Sequence, residues 1–468
     1  MSAGTIPELE QASLPAPVAE LQLADLCQRF ESLCANAVDY LEIAAGLEAE
    51  GFNDQTVRVV YGFPDVFALA EDLHRRVSRN PTEPEPPPDQ WRTSVWRHVV
   101  RGILFGLPSL CYPVAAPLLS GVDAVPLLVV STVASWSLSQ ALSFLGFARL
   151  GRGDRDGGRR LVRVGLGGSA LLLLVVVGLT AVLVGRFGPA AGFAVAQGGY
   201  LLAATVLLVD RAELWLLVAL APGVLASTAF LLLGEPAGLR TGTLVALAGS
   251  LLLTVVLAVG RTSWPVPAAA GRLRWAELRA TGPYLLFGAV TAGLLAFPLA
   301  SGGTSNATMA VLPLSLSMGA AEWLLYRYRG ATGRLLRRSR LVKDFATRSW
   351  WPLIAALTWY LLCTAVLMVV ARELGATVGV SPQWTSLLAY EAYLSLGGAL
   401  FLALLLQAFC GPASVVAWCG GALATELVVV VIDRAVPALR VQLLVCGGLL
   451  LALVIRAGIV LGQTVRHR

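Results

Sequence analysis

The feature that most constrains this chain is a nearly unbroken series of apolar segments after residue 96. A helix needs about 20 apolar residues to cross the hydrocarbon layer of a bilayer, which is about 30 Å thick. We count twelve such segments, at 98–120, 124–147, 162–185, 189–209, 213–234, 241–260, 282–301, 306–326, 351–371, 385–408, 412–432 and 440–461. The mean hydropathy of +0.72 also indicates that most of the chain lies in a lipid bilayer. Helices are expected because the bilayer offers no partner for free backbone groups. We therefore predict an all-α integral membrane protein.

The distribution of positive charge predicts how these helices are oriented. With the N-terminus in the cytosol, the inner loops contain nineteen cationic residues and the outer loops contain five. Cytosolic loops carry an excess of Lys and Arg. We therefore expect a multi-pass protein of the plasma membrane with both termini in the cytosol. The net charge of +6 is then a topology signal and does not indicate nucleic acid binding.

The first 90 residues have a different composition. They contain sixteen acidic and five basic residues, a net charge of −11 against +17 for the rest of the chain. Apolar residues at helical spacing predict an amphipathic helix at about 21–50. Asn53 or Asp54 caps the next helix, and Asp65 caps a third through about Arg79. We predict a helical cytosolic module at 1–80, open to a cytosolic protein partner, and a stiff proline-rich linker at 81–90.

Two similar stretches about 181 residues apart suggest an internal repeat. Pro117, Leu118, Ser120 and Gly121 fall on Pro298, Leu299, Ser301 and Gly302 at a constant offset. Transporters built from such repeats bind their substrate between the two copies. We therefore predict two six-helix lobes, at 91–261 and 281–468, joined by an amphipathic linker at 262–280.

The cysteines and histidines do not indicate a metal or cofactor site. The seven cysteines form no CxxC pair and the three histidines are scattered, so neither a disulfide framework nor a metal cluster is expected. The outer loops are short and the inner loops lack paired acids, which argues against a membrane enzyme. We predict no cofactor and no catalytic residues.

The segment Leu145–Gly168 resembles one known family. A second span that leaves through a glycine-rich basic loop directly into a third span is similar to the multidrug/oligosaccharidyl-lipid/polysaccharide exporter superfamily. The loop residues are Gly151, Gly153, Asp154, Arg159 and Arg160. The resemblance covers about residues 91–468. It implies two six-helix bundles with a cleft that opens alternately to each side of the membrane.

Four charges within the predicted spans are candidates for substrate or coupling sites, because charges are costly in lipid. These are Glu322, Glu391, Glu426 and Arg456. At a rise of ~1.5 Å per residue, Glu391 and Glu426 lie roughly 9–10 Å inside the outer face, and Glu322 and Arg456 roughly 7–9 Å inside the inner face. Arg456 either pairs with Glu322 or extends to the cytosolic surface. Glu391 and Glu426 are either buried and hydrogen-bonded or serve as cavity or proton sites.

The basic loop between spans two and three allows three interpretations. Its arginines are Arg152, Arg155, Arg159 and Arg160. They set the topology, contact anionic lipids of the inner leaflet, or attract a pyrophosphate-linked substrate.

The resemblance favours one branch of the superfamily. Its cation-coupled drug extruders carry acidic residues in the first or seventh span, and these spans hold none here. We therefore expect an exporter or flippase for a polysaccharide or lipid-linked oligosaccharide, with membrane lipids as neighbours. Two alternatives stay open. One is a multidrug-type exporter, and the other is a non-transporting scaffold subunit of a glycan synthesis complex.

Overall fold

The chain divides into two compact units, Met1–Gln90 and Trp91–Arg468, each of which is treated separately. A computed structural model describes residues 16–77, 95–115, 119, 124–185, 187–234, 236–263, 275–301, 306–338, 342–377, 387–433 and 435–463. Every regular element within these ranges is helical. The predicted proline-rich linker at 81–90, residues 264–274 of the predicted interlobe linker, and Pro117, Leu118, Ser120, Gly121 and Gly302 of the repeat lie outside them.

The first unit is a small bundle of short helices. These are α1 (Ala16–Arg29), α2 (Glu31–Asn36), α3 (Tyr40–Ala49), α4 (Asp54–Thr56), which continues into a π-helical turn at Val57–Tyr61, and α5 (Val66–Arg76). Asn53 and Asp65 cap α4 and α5 through their side chains, as predicted. The single helix predicted at 21–50 is wrong. Asp39 accepts a hydrogen bond from the Glu42 backbone and so begins a new helix.

The second unit contains fourteen helices in the described ranges. These are α6 (Val95–Gly106), α7 (Cys111–Ala115), α8 (Ala124–Leu150), α9 (Arg155–Val184), α10 (Pro189–Val209), α11 (Glu213–Leu232), α12 (Ala237–Thr262), α13 (Trp275–Ala300), α14 (Asn306–Arg338), α15 (Val342–Arg348), α16 (Trp350–Thr377), α17 (Leu387–Cys410), α18 (Pro412–Ile432) and α19 (Ala438–Leu461). Ten helices of the described ranges are long and apolar enough to cross a membrane, α8 to α13 and α16 to α19. The protein is therefore an all-α, multi-pass membrane protein.

The other two predicted spans, the first and the eighth, have a different form. The first is broken, because α6 gives way to a 3₁₀ turn at Leu107–Leu110 before α7. Pro108 has no N–H with which to continue the α-helical ladder. The eighth lies within α14, which runs on for 33 residues into a stretch rich in arginine.

The two largest clusters of buried apolar side chains among its described residues divide this unit into halves. One cluster uses residues between 100 and 258, from α6 to α12, which we call the first half. The other uses residues between 287 and 461, from α13 to α19, which we call the second half. Each half therefore has its own hydrophobic core within the described residues.

The halves pack against each other through two pairs of helices, α6 with α14 and α8 with α13. We call these contacts the first seam and the second seam. In the first seam, a Cβ on Gly102 would lie 2.8 Å from the carbonyl oxygen of Leu316 and 3.2 Å from the Cα of Gly319. In the second, a Cβ on Gly288 would lie 2.6 Å from the Cα of Ser137. Small residues therefore bring the backbones together in both seams.

The two seams are equivalent, because each pairs the first span of one half with the second span of the other half. Helices α6 and α13 begin the first and seventh predicted spans, and α8 and α14 supply the second and eighth. The first span of each half thus packs on the second span of the other half, which is the arrangement expected of two repeats about a two-fold axis.

Candidate functional site

A network of charged side chains crosses the first seam. Glu322 of α14 accepts a hydrogen bond from Arg101 of α6. The second carboxylate oxygen of Glu322 lies 3.6 Å from Nδ1 of His98. The Arg101 side chain is only 15% exposed and that of Glu322 is 24% exposed. The contact between the halves is therefore an ion pair that is largely removed from solvent.

The same network is anchored within the first half. Arg97 and Arg101 are four residues apart on α6 and so share one face of the helix. Their Nη2 atoms each lie 2.7 Å from Oε1 of Glu213, the first residue of α11. A carboxylate at a helix N-terminus is stabilised by the helix dipole. Glu213 thus holds Arg101 in place for its pairing with Glu322.

A second network crosses the second seam. Glu277, in the first turn of α13, lies 2.7 Å from Nη2 of Arg149 and 3.0 Å from Nη1 of Arg152. Arg149 also bonds Asp154 at 2.9 Å. The side chains of Arg149 and Glu277 are each 12% exposed. This network therefore links the end of α8 to the start of α13.

The glycine-rich loop noted in the sequence builds this second network. Gly153 has a φ of 78°, a left-handed conformation that glycine adopts without strain. Asp154 then caps α9 by accepting the Gly157 N–H at 2.9 Å. That backbone hydrogen bond, together with Arg149, lowers the pKa of Asp154 below its usual value. The motif therefore makes a tight turn between α8 and α9 that fixes the position of Arg149.

Both networks lie at the same end of the second unit. Arg101 is in α6 and Glu277 is in the first turn of α13, and these helices begin the two halves. Glu322 and Arg149 lie in the later part of the helices that pack antiparallel to them. The orientation predicted from the arginine distribution would place this end on the cytosolic side.

A separate polar cluster lies within the second half. The Glu426 side chain of α18 is fully buried, and its Oε1 lies 3.5 Å from Sγ of Cys446 on α19. Its Oε2 meets no hydrogen-bond donor among the described residues. Nearby, Nε2 of Gln442 donates to the carbonyl oxygen of Leu294 at 3.0 Å. Pro298 leaves that carbonyl without its usual helical partner, because proline has no N–H.

The structure resolves the alternatives for the four predicted charges. Glu322 pairs with Arg101, so the alternative pair of Glu322 with Arg456 is wrong. Arg456 is half-buried and makes no ion pair with any described residue. Glu391 is exposed on α17, so a buried hydrogen bond does not apply to it. Glu426 is buried beside Cys446.

The four loop arginines differ in their surroundings. Arg152 pairs with Glu277, and Arg159 lies 3.5 Å from Asp210. Arg160 is half-buried, whereas Arg155 is exposed and makes no ion pair in the described part of the chain. Arg152 and Arg159 are therefore each held by an acidic side chain of the same unit.

Sequence reasoning missed Arg97, Arg101, Glu213, Glu277 and Gln442. Arg101 and Glu277 lie just outside or at the edge of the predicted apolar cores, where charges look like ordinary loop residues. The i, i+4 spacing of Arg97 and Arg101 was a usable signal that two cations share a face. Their partners lie more than 100 residues away in the chain and cannot be located from local pattern.

Comparison with known proteins gives a limited result. No protein-family model matches the chain, and no curated protein matches its sequence. Among solved structures, a crystal structure of MATE in complex with MaD3S aligns with a TM-score of 0.45 and 16% identity, over 81% of this chain and 97% of that chain. A crystal structure of MATE in complex with MaD5 aligns with a TM-score of 0.42 and 14% identity, over 81% of this chain and 96% of that chain.

A third structure is similar to a lesser degree. It is an inward-facing conformation of a multidrug resistance MATE family transporter of the MOP superfamily, with a TM-score of 0.38 and 14% identity, over 79% of this chain and 94% of that chain. TM-scores below 0.5 do not assign a function. The helices and seams of the chain itself define a multi-pass, all-α membrane protein whose second unit consists of two halves.

Proposed function

We propose that this protein is an alternating-access exporter or flippase that moves a polysaccharide or lipid-linked oligosaccharide out of the cytosol. The observation that carries the proposal is the pair of equivalent seams, each closed by small residues and bridged at the same end by an ion network. Two halves with separate cores that meet through two equivalent helix pairs are able to rock as rigid bodies. A substrate drives such a transition when it binds the two states unequally.

The seam chemistry supports a state that is closed at the networked end. Opening that end separates Arg101 from Glu322 and both Arg149 and Arg152 from Glu277. Two of these arginines keep a carboxylate partner after the separation. Arg101 still pairs with Glu213, and Arg149 still pairs with Asp154, both in the same half. The desolvation cost of opening is reduced accordingly.

The distribution of acids supports a glycan substrate over a cation-coupled drug. The described part of α6 contains no acidic residue, and the single acid of α13, Glu277, is occupied by two arginines. Glu426 is then the candidate coupling group, because it is the most deeply buried acid in the described spans. Its buried carboxyl group has an oxygen available for a proton.

The test is transport by the purified full-length chain in liposomes. A fluorescent, pyrophosphate-linked polyprenyl sugar is placed in both leaflets, and its exposure to a membrane-impermeant quencher is followed. We expect the quenched fraction to rise faster with protein than in empty vesicles. The matched arm replaces the sugar lipid with a cationic dye, and a second arm uses Glu426→Gln with Glu373→Gln, an exposed acid of α16, as the control.

The outcomes separate the three hypotheses. The proposal is supported if wild type and the exposed control move the sugar lipid and Glu426→Gln does not. Movement of the dye alone identifies a multidrug-type exporter. If neither probe moves in folded protein, the scaffold alternative replaces transport, and the acidic first unit becomes the place to seek a cytosolic protein partner.

A further inference from the structure

One pocket lies at the networked end of the second seam. It has a volume of about 170 Å³ and lies between the end of α8, the second turn of α9 and the start of α13. Arg149, Arg152 and Glu277 supply its charged part. Phe144, Leu161 and Ala280 are among the apolar residues that line the remainder. A site that joins charged and apolar walls in this way suits an amphipathic ligand.

The two arginines of the pocket have different roles. Arg149 is nearly buried and divides its bonds between Asp154 and Glu277. The Arg152 side chain is 60% exposed and makes one hydrogen bond to the described residues, from Nη1 to Glu277. A guanidinium group has five N–H donors in a planar fork that matches the oxygens of a phosphate. Arg152 can therefore bind a phosphate without releasing Glu277.

The pocket lies at the depth of lipid headgroups. It is formed where α8 ends and α13 begins, and both helices are long and apolar enough to span a membrane. Trp275, the first residue of α13, is 65% exposed, and the Arg279 guanidinium lies 5.6 Å from its ring. Exposed tryptophan and arginine at the end of a spanning helix are typical of the membrane interface.

We propose that this pocket binds the phosphate headgroup of an anionic phospholipid from the surrounding leaflet. Arg152 holds the phosphate, and the apolar wall formed by Phe144 and Leu161 receives the glycerol and the first part of an acyl chain. The volume is below the 300–1,000 Å³ typical of sites that enclose a drug-sized ligand. It therefore accommodates a headgroup whose chains remain in the bilayer.

The position of the pocket gives the lipid a regulatory effect. The walls come from both halves, because Phe144 and Arg152 belong to the first and Ala280 and Glu277 to the second. Separation of the halves at this seam takes the pocket apart. A ligand that binds only the assembled pocket stabilises the closed seam. This inference concerns lipid binding and is independent of what the protein transports.

The experiment measures lipid retention by the purified full-length protein with native mass spectrometry. Protein is equilibrated with phosphatidylglycerol or phosphatidylcholine, and three chains are compared: wild type, Arg152→Gln and Arg163→Gln. Arg163 is exposed on α9 and does not line the pocket, so it is the matched control for lost surface charge. We expect Arg152→Gln to retain about tenfold less phosphatidylglycerol than Arg163→Gln, equivalent to about 1.4 kcal/mol, because only Arg152→Gln loses a charge-assisted hydrogen bond to the phosphate.

A second measurement distinguishes the source of the phosphate. Thermal unfolding is followed in detergent with added phosphatidylglycerol or with inorganic phosphate. We expect the lipid to raise the Tm of the wild type and of Arg163→Gln, and to raise that of Arg152→Gln less. Equal lipid retention by the two variants overturns the site. An Arg152-dependent rise in Tm with inorganic phosphate alone overturns the lipid assignment in favour of a free anion.

Discussion

Glu322 shows how a charge can be placed correctly and its partner missed. The sequence locates it within an apolar span near the inner face, and the cost of burying a carboxylate predicts a partner. Its partner Arg101 is 221 residues away in the chain. Which cation meets Glu322 depends on how the two halves pack, and this is decided by Gly102 and Gly319 rather than by charge.

We predict that Glu322→Gln lowers stability because it leaves the largely buried Arg101 with one carboxylate instead of two. Because Glu213 still pairs with Arg101, the free energy of unfolding should fall by only about 1–3 kcal/mol. The measurement is SDS-induced unfolding of the purified protein. Glu391→Gln is the control, because Glu391 is exposed, and it should stay within about 0.5 kcal/mol of wild type. Equal effects of the two changes would count against the seam ion pair.

The turn between α8 and α9 provides a pH-dependent prediction. Because the pKa of Asp154 is lowered in the folded protein, its ionised form stabilises the turn above the usual carboxyl pKa of about 3.9. That contribution is lost as the pH falls through the lowered, folded-state pKa. The Tm of wild type should therefore exceed that of Asp154→Asn at pH 7, and the difference should begin to shrink below about pH 3.9.

The neighbouring residue offers the comparison for this prediction. Asp156 is exposed on α9 and has no ion pair in the described part of the chain. Asp156→Asn should show a smaller difference in Tm from wild type at pH 7, because Asp156 caps no helix and pairs with no described arginine. A wild-type advantage over Asp154→Asn that persists unchanged at low pH would contradict a role for the ionised carboxylate.

At the scale of helices, hydrophobic pattern locates most of the molecule. Ten of the twelve predicted spans coincide with helices able to cross a membrane. The pattern predicts the start of α9 at 162, seven residues after its true start at Arg155, because a capped polar turn precedes its apolar part. The pattern also misses the break after α6, although Pro108 marks it. Length and apolarity predict that a span exists, whereas caps and prolines decide where its helix begins and ends.

We predict that Gly319→Ala disrupts the first seam. The added Cβ would lie 2.7 Å from the Cα of Gly102, which has no flexible atom that could move aside. The cost should be about 1–3 kcal/mol. Gly333→Ala in the same helix is the control, since nothing lies within 4 Å of its Cβ position, and it should be neutral or stabilising by up to about 1 kcal/mol. Equal losses of unfolding free energy in Gly319→Ala and Gly333→Ala would show that close packing at Gly319 is not the cause.

A second prediction concerns Pro298 within α13. Gln442→Leu removes the donor to the Leu294 carbonyl oxygen, and the unfolding free energy should fall by about 1–3 kcal/mol. Pro298→Ala restores an N–H four residues after Leu294. The loss caused by Gln442→Leu should therefore be smaller in the Pro298→Ala background, as measured by a double-mutant cycle. Additive losses would show that Gln442 does not compensate for the proline.

At the scale of the whole molecule, the internal repeat is the most useful signal in the sequence. It predicts two related halves, and the structure shows two buried clusters and two equivalent seams. The repeat cannot predict the networks that cross the seams, since Arg101 and Glu277 do not align in it and carry opposite charges. Substrate identity likewise depends on side chains that the repeat does not specify.

We predict that linking the halves at the second seam stops transport. Arg152→Cys and Glu277→Cys are introduced together and joined by a flexible thiol-specific linker that reduction removes. Transport of the sugar lipid should fall by more than about tenfold when the linker is present, the equivalent of about 1.4 kcal/mol, and return after reduction. Each single-cysteine variant with the same reagent is the control. Undiminished transport in the linked protein would show that the halves do not need to separate there.

The length of α14 has a mechanical consequence. At 1.5 Å per residue, its 33 residues extend about 50 Å, well beyond the hydrocarbon layer of about 30 Å. A continuous helix of this kind can pivot as a rigid rod about the contact of Gly319 with Gly102. The arginine-rich end at Arg338 lies about 29 Å from Gly319, so a tilt of about 10° about that contact displaces it by about 5 Å. A small rotation between the halves is thereby amplified at the arginine-rich end of the helix, where another molecule can sense it.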